Sequence, residues 1–115
     1  DCCRQRHIPI RIGVNAGSLE KEILAKYGHP TAQALRDSAL YHAKLLEKYD
    51  FEDIVVSIKA SDVSGMIEAN RILVQKIPYP LHLGVTEAGG GDRGMIKSAI
   101  GIGSVLCIAC SIYYI

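Results

Sequence analysis

The sequence has no excess of charge of either sign. Lys and Arg number 13 and Asp and Glu 12, for a formal net charge of +1 at pH 7. A chain so balanced carries no electrostatic footprint for nucleic acid, whose binding rests on neutralising phosphates. It also lacks a disulfide framework. Its four Cys fall into two close pairs, Cys2 with Cys3 and Cys107 with Cys110, instead of spacing out along a small secreted scaffold. The opening Asp-Cys-Cys-Arg-Gln-Arg-His is polar and charged, so it does not read as a secretory leader. No linker or low-complexity tract divides the chain. With 115 residues, 49% hydrophobic and 22% charged, it is ordinary globular material, enough for one domain and too little for two.

What is there is an alternation of strand and helix signals. Residues 8–14 place aliphatic residues at every second position, as a half-buried strand does. Ser18 is an N-cap candidate for a short helix over 19–27, which Gly28 and Pro30 close. Thr31 caps a second helix running to about Tyr49, with Ala34, Leu35, Ala39, His42, Leu45, Leu46 and Tyr49 near one stripe. A second strand is expected over 53–59. Ser61 and Asp62 are both able to cap the helix that follows, to about Lys76, with Met66, Ala69, Leu73, Val74 and Ile77 on its buried side. Pro78 and Pro80 break the chain before a third strand over 81–86. A glycine-rich loop, 88–94, then leads into a last helix from near Met95. Three strand–helix repeats in succession predict parallel strands joined by crossovers.

The three strands share one parity. Ile10, Ile12 and Val14 lie on one face of the first, with Arg11, Gly13 and Asn15 on the other. Ile54, Val56 and Ile58 oppose Val55, Ser57 and Lys59 in the second, and Leu81, Leu83 and Val85 oppose His82, Gly84 and Thr86 in the third. A sheet covered by helices on both sides should be apolar on both faces. A barrel with helices only outside needs one aliphatic face, so the parity favours a βα-barrel, in which active sites sit at the carboxyl ends of the strands. Asn15, Lys59, Thr86 and Glu87 all stand at those ends. Should Arg11, Ser57, Lys59 and His82 not share one sheet face, the barrel reading fails.

Arg11 is the sharpest candidate. A mid-strand arginine is either one half of a structural ion pair or a fork-shaped clamp for an anionic ligand such as phosphate. Lys59 adds a second positive charge at the rim, or is a solvated strand end. Together with Asn15 on the same inferred face, the two cations favour an anion site. Glu87 can act as a general acid or base, its plain alternative being a loop or capping carboxylate. His82 reads as a satisfied histidine rather than a ligand, and Asp62 as a helix cap. The Gly89–Gly94 loop could cradle phosphate on backbone N–H groups, but it matches neither a P-loop nor a Gly-x-Gly-x-x-Gly pattern. Cys107-Ile-Ala-Cys110 has metal or redox spacing, yet a lone pair in apolar surroundings reads as inert buried thiols. Residues 98–115 carry no charge, an 18-residue run at the lower limit for a membrane span. A buried barrel helix running into an apolar tail is the preferred reading.

Several long segments carry a resemblance. Ile10-Arg-Ile-Gly-Val-Asn-Ala-Gly-Ser-Leu-Glu20, Val56-Ser-Ile-Lys-Ala-Ser-Asp62, Leu81-His-Leu-Gly-Val-Thr-Glu-Ala-Gly89 and Lys97-Ser-Ala-Ile-Gly-Ile-Gly103 occur in this order. At this spacing the chain closely resembles the 4-hydroxy-3-methylbut-2-en-1-yl diphosphate synthase family, from about Ile8 to Leu106. The resemblance implies an α/β fold: a partial TIM (βα)8 barrel, three parallel βα units corresponding to strands five to seven, over residues 1–106. It leaves 107–115 as an apolar tail without counterpart, and places the family's iron–sulfur domain outside this chain.

The same resemblance implies an oxidoreductase of the methylerythritol phosphate route to isoprenoids, cytoplasmic in bacteria or plastid-located. Its reaction is the reductive ring opening of 2-C-methyl-D-erythritol 2,4-cyclodiphosphate. A 4Fe-4S cluster, whose ligands are not in this chain, takes electrons from flavodoxin or ferredoxin, and the full-length family is homodimeric. Carried over by motif, Arg11 and Asn15 match substrate-binding positions, Lys59 a diphosphate-binding lysine and Glu87 a carboxylate proposed for proton handling. No metal ligand is assigned, and Cys107 and Cys110 are not taken as cluster ligands. The isolated chain is expected to be inactive and marginally stable, with open sheet edges. The competing readings are another phosphate- or pterin-binding barrel and a non-catalytic, membrane-associated fragment.

Overall fold

The structure is a computed structural model that describes the backbone of residues 1–113 and the side chains of residues 1–108. Its elements run α1 (Cys2–Gln5), β1 (Ile10–Asn15), a 3-10 turn (Ala16–Ser18), α2 (Lys21–Tyr27), α3 (Ala32–Glu47), β2 (Ile54–Lys59), α4 (Val63–Val74) and α5 (Gly91–Tyr113). β1 and β2 pair in parallel, with Ile10 opposite Ile54, Ile12 opposite Val56, Val14 opposite Ile58 and Asn15 opposite Lys59. Because side chains alternate along a strand, this register gathers Ile10, Ile12, Val14, Ile54, Val56 and Ile58 into one layer, while Val55 falls on the other face.

That layer is the core. Ile12, Val14, Ile54, Val56 and Ile58 are buried together with Ala34, Leu35, Ala39 and Ala43 of α3 and Met66, Ala69 and Leu73 of α4. The opposite face is uncovered at Arg11, Gly13 and His82, all exposed. Helices on one face only is the arrangement expected of a piece of barrel wall, and not of a doubly wound sheet. Asn70 is fully buried on α4. Its Nδ2 donates to the Met66 carbonyl at 2.9 Å and approaches the Ile58 carbonyl at 3.4 Å, tying the helix to the strand beneath.

The helix caps follow local chemistry. Thr31 Oγ1 accepts from the Ala34 N–H at 3.0 Å, and the Asp62 carboxylate accepts from the Gly65 N–H at 2.7 Å. Ser18, however, does not cap α2. Asn15 Oδ1 takes the Gly17 N–H at 3.1 Å and winds the chain into the 3-10 turn, so that α2 starts only at Lys21 with Glu20 at its N-cap. α5 begins at Gly91, four residues ahead of Met95. The single turn of α1 has no apolar periodicity and was not legible. It lies at the amino ends of the strands, where the Ile8 N–H bonds the Cys3 carbonyl at 2.9 Å.

The expected third strand is only partly realised. The segment after Pro80 pairs in parallel with β2 at two isolated points, Val56 with Leu81 and Ala60 with Val85. His82 N–H bonds the Val56 carbonyl at 2.8 Å and Thr86 N–H the Ala60 carbonyl at 3.0 Å. Between these points no backbone bond joins Ile58 to His82 or to Gly84 among the described residues, and Asn70 Nδ2 approaches the Ile58 carbonyl. The register is that of a parallel strand, but the regular sheet has two strands.

α5 packs along α4 and reaches this segment. A Cβ at Gly101 would lie 2.7 Å from Met66 Cε and 2.8 Å from Val85 Cγ2, so the small residue sets the close approach. Met95, Ile96, Ile100 and Leu106 remain exposed on the far side of α5. No helix among the described residues is long and apolar enough to cross a membrane. The side chain of Cys110 and most of the 107–115 tail lie outside the described residues.

Gly94 supplies a test. A Cβ there would stand 2.1 Å from the Gly89 carbonyl oxygen, a backbone atom that cannot swing aside. Gly94→Ala is therefore expected to lower stability by about 1–3 kcal/mol, although alanine favours a helix by up to about 1 kcal/mol over glycine. Urea denaturation measures the difference, and an unchanged or raised midpoint contradicts the packing assigned to this loop.

Candidate functional site

The carboxyl ends of the strands converge. Asn15 stands opposite Lys59 at the ends of β1 and β2, and the Thr86–Ala60 bond brings Glu87 to the same level. A cavity of about 340 Å³ opens there, lined by the Asn15–Ser18 turn, Ser61, Thr86 and Glu87. Glu87 is exposed with a φ of 54°, the left-handed region that a residue with a Cβ seldom occupies. The strand end thus turns sharply at the residue expected to carry the proton-handling carboxylate. Asn15 spends its Oδ1 on the Gly17 N–H and keeps its Nδ2 without a partner among the described residues.

Arg11, Ser57, Lys59 and His82 share the uncovered face, as the parity requires. Arg11 Nη1 lies 3.3 Å from His82 Nδ1. Lys59 leans the other way along the same wall. A Cβ at Gly84 would lie 3.0 Å from Lys59 Cε and 3.5 Å from Nζ, so the glycine leaves room for the lysine stem. Among the described residues no carboxylate forms an ion pair with either Arg11 or Lys59. The structural ion pair considered for Arg11 is therefore not what holds it. Arg11 lies level with Val55 and Lys59 level with Asn15 nearer the strand ends, so one face carries two separate cations, suited to an anionic ligand. Arg11 and Lys59 are not among the residues lining the strand-end cavity; they lie on the face leading into it.

The loop that carries Asn15 is anchored from behind. Glu20 accepts from Ser38 Oγ at 3.0 and 2.8 Å and also meets His42 Nε2, which fastens the start of α2 to α3. Burial pushes the Glu20 carboxyl up, but its own backbone N–H, Ser38 and His42 outweigh this and hold it below the ordinary value of 4.5. A similar link joins the end of α2 to α3. Burial raises the Asp37 carboxyl, and bonds from Tyr27, Arg36 and Lys26 bring it below its ordinary value. Farther from the site, the Tyr79 hydroxyl donates to Glu47 at 2.6 Å. That bond, burial and the carboxylates of Glu47 and Glu52 push its pKa up to about 12.

Two hydroxyls that the parity places on the polar face have no role in the sequence reading. Ser57 Oγ and Thr86 Oγ1 are buried and make no hydrogen bond, like Asn70 Oδ1. Ser57 faces the cations and Thr86 lines the cavity. The available signal was small polar residues on the same parity as Arg11 and Lys59, but only packing reveals that their hydroxyls lack partners. The Gly89–Gly94 loop does not line the strand-end cavity. Among the described residues no group of three or more His, Cys, Asp and Glu can hold a metal ion. These residues do not fit an iron–sulfur cluster, and no step is derived through one.

Comparison with known proteins meets this geometry. The profile of the GcpE TIM-barrel domain family matches residues 1–110. Over 104 residues the chain is 64% identical to the 4-hydroxy-3-methylbut-2-en-1-yl diphosphate synthase (flavodoxin) of Clostridium perfringens, covering 90% of this chain and 30% of that protein. It is 65% identical over 104 residues to the synthase of the same name from Nitratiruptor, covering 90% and 29%, and 58% identical over 106 residues to that of Fusobacterium nucleatum, covering 92% and 30%. The chain spans less than a third of the length of these relatives.

Two outcomes follow from the buried polar groups. Ser57→Ala should raise the stability of the ligand-free chain by about 1 kcal/mol, since a buried hydroxyl without a partner costs about 1–3 kcal/mol; chemical denaturation tests this, and a clear loss would mean the hydroxyl is satisfied. Because folding lowers the Glu20 carboxyl, its stabilisation is complete above 4.5 and is lost as pH falls through the lower folded-state value. Glu20→Gln should therefore melt below the parent at neutral pH and converge on it toward about pH 3. Melts that differ equally at both pH values contradict the assignment.

Proposed function

The chain belongs to the GcpE TIM-barrel family, and from that premise we propose that it is the substrate-binding wall of a 4-hydroxy-3-methylbut-2-en-1-yl diphosphate synthase. The observation that carries the proposal is the pair of cations, Arg11 and Lys59, on one open face with no carboxylate among the described residues in an ion pair with either. In this reading residues 1–106 are barrel units five to seven and residues 107–115 an apolar tail. The ligand is 2-C-methyl-D-erythritol 2,4-cyclodiphosphate, and the reaction is its two-electron reductive ring opening with loss of water.

Each residue then has a task. Arg11 and Lys59 hold the diphosphate oxygens, and their charge stabilises the phosphate oxygen released when the ring opens. Asn15 adds its unused Nδ2 as a donor. The Thr86 hydroxyl, orphaned beside the cavity, gains an acceptor when the ligand arrives. Glu87, turned into the cavity mouth, passes the proton that the departing oxygen needs to leave as water. The electrons would come from a 4Fe-4S cluster held by residues other than the described ones. Flavodoxin, printed in the names of the relatives, or ferredoxin delivers them, and the full-length enzyme is a homodimer of the bacterial cytoplasm or the plastid. This chain alone, lacking an electron path, gives no turnover.

Pyrophosphate titration of the labelled chain, followed by NMR, tests the site. Binding is expected to perturb the amides of residues 11–17, 57–61 and 82–87. Arg11→Ala and Lys59→Ala should each weaken it about tenfold or more, the value of one charge-assisted hydrogen bond. Binding that survives both substitutions unchanged would remove the anion site. Consumption of the cyclodiphosphate by this chain with a chemical reductant would overturn the claim that it cannot turn over alone.

A further inference from the structure

We infer that His82 is the positioning residue for Arg11, holding its guanidinium across the open face as an uncompensated cation presented to a phosphate or diphosphate oxygen. The ligand named here rests on the anion-binding reading above; the contact itself does not.

Arg11 stands on β1 and His82 on the segment beyond β2, two strand spacings away, about 10 Å. The arginine side chain must therefore cross β2 to bring Nη1 within 3.3 Å of His82 Nδ1. A guanidinium has donors and no acceptor. His82 Nδ1 is thus the acceptor and carries no proton, and the ring proton sits on Nε2. Among the described residues Arg11 has no other polar partner. A carboxylate in this place would orient the guanidinium and cancel its charge; a neutral imidazole orients it and leaves the charge intact.

The surroundings agree. Beside His82 in the register stand the Ser57 hydroxyl, directly opposite, and the Lys59 ammonium over Gly84, neither an anion. The Glu87 carboxylate lies farther along, at the strand end, and forms no ion pair with Arg11. Ser57 Oγ is buried and makes no hydrogen bond, so Arg11 is not tied to it at the crossing. Gly13, on the other side of Ser57, has nothing within 4 Å of where a Cβ would be, which leaves the face beside the crossing open. The parity reading had set His82 aside as a satisfied histidine. Its partner is one of the two residues whose charge the ligand needs.

The test uses the 115-residue chain, labelled with 15N, and inorganic pyrophosphate. Long-range 1H–15N spectra at about pH 8.5, where imidazoles are neutral, report the tautomer, and His82→Asn identifies the His82 signals. The expected result is a proton on Nε2 and none on Nδ1; the opposite tautomer overturns the inference whatever the ligand does. For affinity, His82→Leu should weaken pyrophosphate at least fivefold, and His82→Asn, which keeps a side-chain acceptor, should recover most of the loss. In an Arg11→Ala background His82→Leu should have no further effect. Pyrophosphate binding that is normal in His82→Leu, or an equal loss with and without Arg11, overturns the positioning role while leaving the anion site standing. Failure of the parent chain to bind pyrophosphate overturns the anion reading, and the tautomer then decides the inference alone.

Discussion

The register of one strand pair governs the rest of the molecule. Ile12 opposite Val56 and Val14 opposite Ile58 put the alternate aliphatic residues of both strands under α3 and α4. A slip of one residue would turn the whole set over, because side chains alternate with a period of two. Arg11 and Lys59 would then enter the apolar layer, where an unpaired charge is intolerable. The same constraint that builds the core therefore fixes which residues face outward, and the cationic wall is the necessary reverse side of the hydrophobic one.

The third segment shows where that logic meets local competition. Its register continues the sheet, but Asn70 approaches the Ile58 carbonyl that the ladder would use. Lys59 lies over Gly84 at the same level. The segment is held at two points and then turns through Glu87 into the cavity. A helix-to-strand tie is present where the ladder is thin, and that stretch adjoins His82.

Anchoring of the opposite rim follows a different principle. The Asn15–Ser18 turn has little burial of its own. It is held by the Asn15 cap in front and by Glu20 behind, whose carboxylate is shared between Ser38 and His42 of α3. Ser18 looked like a helix cap because serine before an amphipathic run usually is one. Asn15 takes the turn through a bond two residues away, and Glu20 fixes the start of α2 through contacts with α3 that no local window contains.

Much of the fold was legible because its signals are periodic. Alternation in the strands, the stripe on α3, the Thr31 and Asp62 caps and the one-sided parity all follow from spacing alone, and the long motifs pointed to the family. The single turn α1, the early start of α5 and the broken third strand were not legible, since each depends on one bond or one close approach instead of a pattern. For the site, the sequence by itself determined which residues could face an anion: Arg11, Asn15, Lys59 and Glu87, on one parity and at the strand ends. Only the tertiary structure decided that no carboxylate among the described residues pairs with the cations, that Ser57 and Thr86 lack partners, and that a histidine 71 positions away holds Arg11. The physical reason is that parity is a property of each strand separately, whereas charge compensation depends on which strands come to lie side by side.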